Sequence, residues 1–278
     1  MKSLTKKIFA VLLFLAIFLI TGCKQGIVYN EITLTGAFRN ASNTVKIFTE
    51  KAQSEEKLAA LKKDMDSILI NLDMLFDIQG TYKDSELMQI KNQAGIAPVE
   101  VSSEVIYVIQ EALKMSERSI VDGVALFDPT IAPVWNEWDF PNNVYDECFV
   151  DLGMELSLEE IDEIKAAIQA TIEAGLVDYR NIEINLEEST VFLKKAGMEI
   201  DLGAIVKGYA ADKIKTYLIE QGYTSAVIDI GGNIQILGNL ADQPFKVGIR
   251  TPYKKWCNID YNENYEPLDE TYGTIMVI

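Results

Sequence analysis

Histidine is absent from all 278 residues. That excludes Ser-His-Asp hydrolysis, histidine general bases and His-ligated zinc in the chain as it stands. Cysteine is nearly absent too. Cys23, Cys148 and Cys257 are the only three, and no Cys-x-x-Cys pair occurs. Neither a disulfide framework nor a cysteine zinc site can be built from them. In an oxidising compartment, pairing of Cys148 with Cys257 and two free thiols both stay open. Basic residues are outnumbered, 25 against 42 acidic ones, for a formal net charge of −17. Such a surface is unsuited to gripping nucleic acid through its phosphates or to seeking anionic lipid headgroups. Apolar residues are plentiful at 49%, so a full core can be buried and global disorder is excluded.

The N-terminus reads as an address. Lys2, Lys6 and Lys7 precede an unbroken apolar run from Ile8 to Ile20, which ends in Thr21-Gly22-Cys23. The run is short for a membrane span and suited to a signal segment. Small residues before a cysteine resemble the lipobox of bacterial lipoproteins. The resemblance implies a cleaved leader over 1–22 and a lipidated Cys23, which would tether the protein to the membrane outside the cytoplasm. An ordinary secretory signal or an uncleaved anchor are the other readings. Residues 23–42 are polar and irregular and read as a tether.

Beyond that point helices and antiparallel strands alternate without a strict βαβ rhythm, so an α+β fold is expected. A first strand is predicted near Thr44–Phe48. Leu58, Leu61, Met65, Ile68, Leu69, Leu72, Leu75 and Phe76 recur at spacings of three and four, the mark of one apolar helical face. Ser102 or Ser103 can cap a second helix, and Ser157-Leu-Glu-Glu160 is a capping-box pattern. From Asn181 the period drops to two, which predicts a hairpin. A helix over about 204–220 and strands near 225–230, 234–237 and 245–250 complete the expected set.

Three segments carry more glycine and polar residues than packing requires. Gly123-Val-Ala-Leu-Phe-Asp-Pro-Thr130 suits either a loop that holds a planar ring or a rigid Asp-Pro turn. Asp201-Leu-Gly-Ala-Ile-Val-Lys-Gly-Tyr-Ala-Ala-Asp212 sets an acid, a glycine and Lys207 at a helix entrance, where free backbone N–H groups suit phosphate. The bland alternative is a capped helix with an exposed lysine. Asp229-Ile-Gly-Gly-Asn233 is first of all a tight turn. Asp229, within an apolar strand, reads as a buried acid that needs a partner or a ligand.

Tyr82 followed by Asp84-Ser-Glu-Leu87, then Leu126-Phe-Asp-Pro-Thr130, then the 201–212 stretch and the Gly-Gly-Asn turn, in that order, resemble the ApbE family. The resemblance covers roughly residues 43–250. It implies an ApbE-like, T-fold-related arrangement of mixed antiparallel sheets packed with helices. It also implies an enzyme, an FAD:protein FMN transferase that binds FAD with Mg2+. Such an enzyme moves FMN onto a Thr or Ser hydroxyl of extracytoplasmic redox-complex subunits and releases AMP. By family position, Tyr82 lines the flavin pocket and Leu126, Phe127 and Asp128 form the loop that holds FAD. Asp201 contacts the ligand at the helix entrance, Lys207 contacts FAD, and the Ala204 carbonyl binds Mg2+, a hard oxygen ligand. No general base is assigned.

The chain also departs from the family pattern. Ala41-Ser-Asn-Thr44 stands where the family has a Met-Gly-Thr stretch, and Gly203-Ala204 where it often has two glycines. The family continues past Arg250 with a Thr-Ser-Gly stretch and a His-His-Ile segment that supplies the side-chain Mg2+ ligands. This sequence runs instead to Tyr272-Gly-Thr-Ile-Met-Val-Ile278. The expectation is a domain over 43–278 whose C-terminal part is missing, with a weak Mg2+ site and little transferase activity. Two alternatives go with the transferase reading. One is a lipoprotein that binds or hydrolyses FAD without efficient transfer. The other is a solute-binding lipoprotein of a transporter.

Overall fold

A computed structural model describes residues 26–38, 42–138, 158–250 and 271–277. The leader, Cys23, Cys148, Ser157 and Cys257 lie outside the described residues. The principal sheet has the order β1-β2-β8-β9, formed by Val28–Thr33, Asn43–Thr49, Ala226–Ile230 and Asn233–Leu237. β1 corrects the tether reading. Val28 pairs with Thr49 and Thr33 with Thr44 in an antiparallel ladder, so part of that polar segment is a sheet edge. Its short apolar alternation (Ile32 buried, its neighbours exposed) is too weak a signal to stand out in sequence.

The sheet is covered by helices because its alternation demands it. Val45 and Ile47 on β2, and Ala226, Ile228 and Ile230 on β8, are fully buried on one face. Against this layer lie α1 (Glu55–Phe76) and, further along the chain, the helix Gly203–Glu220. α1 buries Leu61, Met65, Leu69, Leu72 and Phe76, most of the predicted stripe. It starts where Ser54 accepts the Lys57 N–H, with Glu55 and Glu56 favourably placed in the first turn. Each fully buried side chain of this kind contributes about 1.5–3 kcal/mol.

α2 (Glu86–Asn92) and α3 (Ser103–Arg118) are capped by Ser85 and Ser102. Glu86 couples them, because its carboxylate accepts both the N–H and the hydroxyl of Ser102, at 2.7 and 2.9 Å. The stretch around Gly123–Thr130 holds more structure than a loop or a single turn. Ile120–Val121 and Val124–Ala125 form a miniature hairpin, β4–β5, and Ala132–Asn136 forms α4, with Pro133 in its first turn. Leu158–Glu173 is α5.

The predicted hairpin is present as β6 (Ile182–Asn185) and β7 (Thr190–Leu193). It joins β3 (Val99–Glu100) in a second sheet of order β3-β7-β6. The helix Gly203–Glu220, α6, packs on β8, β9, α1 and α3. Finally, β10 (Phe245–Arg250) pairs with β11 (Thr271–Val277). Every strand pair among the described residues is antiparallel, and parallel α/β lobes of the solute-binding kind are not formed by them.

Candidate functional site

The 123–130 loop and the entrance of α6 meet. The Asp201 N–H donates to the Pro129 carbonyl at 2.8 Å. Asp128 organises the loop from within. Its Oδ1 accepts the N–H and the hydroxyl of Thr130, at 2.8 and 2.6 Å, and its Oδ2 accepts the Tyr179 N–H at 3.0 Å. Buried Thr130 in turn accepts the Asp178 N–H at 2.8 Å. The Arg180 guanidinium, hydrogen-bonded to Asp178, holds that carboxyl below the usual aspartate range. Upstream, Ser119 accepts the Phe127 N–H at 3.0 Å. Phe127 packs against the core while Leu126 is 73% exposed. The loop therefore presents Leu126 to solvent on a rigid base.

The entrance of α6 differs from the expectation of several free N–H groups. Leu202 is the N-cap residue and offers no side-chain cap. The Gly203 N–H is taken by Asp201 Oδ1 at 2.7 Å, and the Ile205 and Val206 N–H groups both go to the Leu202 carbonyl. Of the first-turn donors only Ala204 N–H has no partner among the described residues. The helix satisfies itself where a ligand was expected to. One turn on, Lys207 is half-buried and makes no hydrogen bond or ion pair among the described residues. Ala204 and Lys207, three apart on one helix, lie on the same side.

Tyr82 belongs to a different corner. Its N–H donates to Asp77 Oδ2 at 2.7 Å and its hydroxyl approaches Asp73 Oδ2 at 3.4 Å. Burial, together with the Asp73 charge, raises its phenol above the ordinary value. The two corners are braced through Glu199. Its carboxylate pairs with Lys91 of α2 at 3.0 Å and accepts from Asn136 of α4 at 3.2 Å, two residues before Asp201. Glu199 and Asp73 were not singled out by the sequence reading. Asp73 is a lone acid in an apolar stretch of α1 and Glu199 one of several charges before α6, and neither pattern marks a site.

The Gly-Gly turn closes the sheet beside Asn43. β8 ends at Ile230 and β9 begins at Asn233, so Gly231 and Gly232 form a two-residue loop, with φ of +57° and +88°. The Gly231 N–H donates to the Ser42 carbonyl at 3.1 Å, which joins the turn to the start of β2. Asp229 is not the buried acid that was expected. It lies on the half-covered face of β8, opposite Ile228 and Ile230, and its Oδ1 accepts the Gly232 N–H at 2.8 Å. It is a turn-closing residue. Asn43 is the buried polar residue of this corner, 1% exposed. Its Nδ2 donates to the Thr35 carbonyl at 3.2 Å while its Oδ1 has no donor among the described residues.

A match to the ApbE family covers residues 40–269. The chain belongs to the ApbE family. Among its relatives is an FAD:protein FMN transferase of Klebsiella pneumoniae (strain 342). It is 33% identical over 172 residues, which are 61% of this chain and 46% of that protein. An FAD:protein FMN transferase of Treponema pallidum (strain Nichols) is 30% identical over 224 residues, 75% of this chain and 55% of that protein. The chain thus spans about half the length of these curated relatives. Among solved structures, the flavin transferase ApbE from Vibrio cholerae superposes with a TM-score of 0.59 at 22% identity, over 81% of this chain and 64% of that one. The ApbE protein from Thermotoga maritima gives 0.62 at 22% identity, over 90% and 68%. The α+β fold is that of ApbE structures.

Mg2+ does not fit the described residues by themselves. They contain no group of three or more acidic, cysteine or histidine side chains able to hold a metal. Ala204, exposed in the first turn of α6, contributes at most a backbone oxygen.

Proposed function

We propose that this ApbE-family chain binds FAD and acts as an FAD:protein FMN transferase. The reading rests on one observation above others. The two segments that carry the family resemblance, 126–130 and 201–207, are joined by the Asp201–Pro129 hydrogen bond, and each exposes residues to solvent, Leu126 on one and Gly203 and Ala204 on the other. In the reaction, a Thr or Ser hydroxyl oxygen of an acceptor protein attacks the FMN-side phosphorus of the FAD pyrophosphate. The P–O bond to the AMP half breaks, AMP carries away the electron pair, and the hydroxyl proton passes to solvent or a base. Charge accumulates on the phosphate oxygens, where a cation does most good. Lys207, unpaired among the described residues, supplies one at the α6 entrance. Asp128 and Thr130 keep the 126–130 loop rigid, so that a ligand meets a preformed surface.

The acceptors in this reading are extracytoplasmic subunits of redox complexes, and the protein is held at the membrane through lipid on Cys23. The test takes the protein with FAD, Mg2+ and an extracytoplasmic redox subunit of the same organism, read by mass spectrometry of the acceptor and by release of AMP. An FMN-sized increment on a Thr or Ser, with AMP in equal amount, supports transfer. AMP and FMN without modified acceptor means hydrolysis. No FAD-dependent rise in melting temperature refutes FAD binding altogether.

A further inference from the structure

Asp66 and Asp73 stand two turns apart on α1 and lie on nearly the same side of the helix. Both carboxylates grip the segment that leads into β2. Asp66 Oδ1 accepts the Thr35 N–H at 2.6 Å and Asp73 Oδ1 accepts the Phe38 N–H at 2.9 Å. Asn43 holds the same segment from the other side, through the Thr35 carbonyl. Phe38 needs such a hold. Its φ is +52°, a left-handed conformation that a residue with a Cβ avoids unless its surroundings impose it.

The other oxygen of Asp73 accepts from the Tyr82 hydroxyl. One carboxylate therefore ties together two aromatic residues from distant parts of the chain. Phe38 packs partly on the core, and Tyr82 is half-buried on the turn before α2. Tyr82 is pinned at its other end by Asp77, so its ring is fixed at both the backbone and the hydroxyl. Neither bond helps the core, because neither Asp73 nor Tyr82 is among its buried residues. The arrangement holds an aromatic ring in one orientation at the surface, as recognition of a planar ligand requires.

We propose that Asp73 is a positioning residue for flavin binding, which sets the Tyr82 ring and the Phe38 backbone as one rim of the isoalloxazine site. The inference rests on the reading of this chain as an FAD-binding ApbE domain and assigns that site a residue outside the family motifs.

The experiment titrates FAD into wild type, Asp73→Asn and Asp73→Leu, following flavin emission, which a nearby tyrosine ring quenches. Asparagine can accept the Phe38 N–H through Oδ1 and donate to the Tyr82 oxygen through Nδ2. Leucine can do neither. The expected result is a loss of tenfold or more in FAD affinity and weaker quenching for Asp73→Leu, with Asp73→Asn within threefold of wild type. A double-mutant cycle of Asp73→Ala, which removes both bonds, with Tyr82→Phe is the second arm, and the effects are expected to be non-additive. If Asp73→Leu does not fold, that cycle decides alone. Wild-type affinity and quenching in Asp73→Leu, equal damage from the Asn and Leu variants, or additive losses in the cycle each overturn the inference. A wild-type protein that binds no FAD overturns the flavin reading itself.

Discussion

Asp201 and Pro129 are joined backbone to backbone, N–H to carbonyl, at 2.8 Å. This contact gives the 126–130 loop and the α6 entrance a common position, and Asp128 maintains it. Both carboxylate oxygens of Asp128 are already used, on Thr130 and on the Tyr179 N–H. Asp128→Ala should leave those partly buried donors without an acceptor, at a cost of about 1–3 kcal/mol. Asp128→Asn should cost less, because one amide oxygen still accepts. Urea unfolding of the two variants checks this. Equal stability of Asp128→Ala and wild type would mean that Asp128 is free to serve a ligand instead.

The Gly231-Gly232 turn should tolerate one substitution and resist another. Both residues have positive φ, the pattern of a type I′ turn, for which Asn-Gly is the preferred pair. Gly231→Asn should change stability by less than about 0.5 kcal/mol. Gly232→Val should cost at least about 1–2 kcal/mol, since a β-branched residue is strained in the left-handed region. No atom crowds the Gly232 position, so the penalty is a backbone effect and not a clash. Thermal unfolding of both variants separates the two cases.

Much of the architecture was legible because its periods are clean. The α1 stripe, the 182–193 hairpin and the strands around Gly231-Gly232 all stand where the spacing of apolar residues puts them. β1 was not legible. It offers one buried side chain among exposed ones, and only its pairing with β2 makes it a strand. The segments of the site were legible as motifs, but their internal chemistry was not. Sequence shows an acid before a glycine at Asp201-Leu202-Gly203. It does not show that the acid takes the glycine N–H and so removes one donor from the anion site that the pattern alone suggests. Glu199, which holds the side chains of Lys91 and Asn136, looks in sequence like any surface acid, and so does Asp73. A carboxylate that holds a backbone N–H across the fold has the same sequence signature as one that faces water.

Lys207 separates ligand binding from folding. It has no ion pair or hydrogen bond among the described residues and sits one turn into α6. Lys207→Met keeps the aliphatic stem and helix propensity, so stability should stay within about 0.5 kcal/mol of wild type. FAD affinity should fall severalfold, by about 1 kcal/mol, if the ammonium meets a phosphate. The loss should shrink as salt is raised. Isothermal titration at two ionic strengths measures both effects. An unchanged affinity would remove Lys207 from the site.

The pair of Glu104 and Lys213 should shape the acid limb of the stability profile. Glu104 of α3 accepts from Lys213 of α6 at 3.1 Å, and Lys213 also lies 5.7 Å from the centre of the Tyr209 ring. The hydrogen bond from Lys213 lowers the Glu104 carboxyl below its ordinary value of 4.5. A lowered folded-state value means that the unfolded chain takes up the proton first as the solution is acidified. The stabilisation is therefore fully present above the ordinary glutamate value and is lost as pH falls through the folded-state one. The two side chains are 34% and 41% exposed, so screening limits the contribution. About 0.5–1 kcal/mol at neutral pH is expected, less at high salt. Glu104→Gln should be less stable than wild type by that amount at pH 7, and the difference should close on acidification below about 4.5. A difference that persists unchanged at pH 3 would mean that Glu104 acts through packing between α3 and α6 and not through its charge.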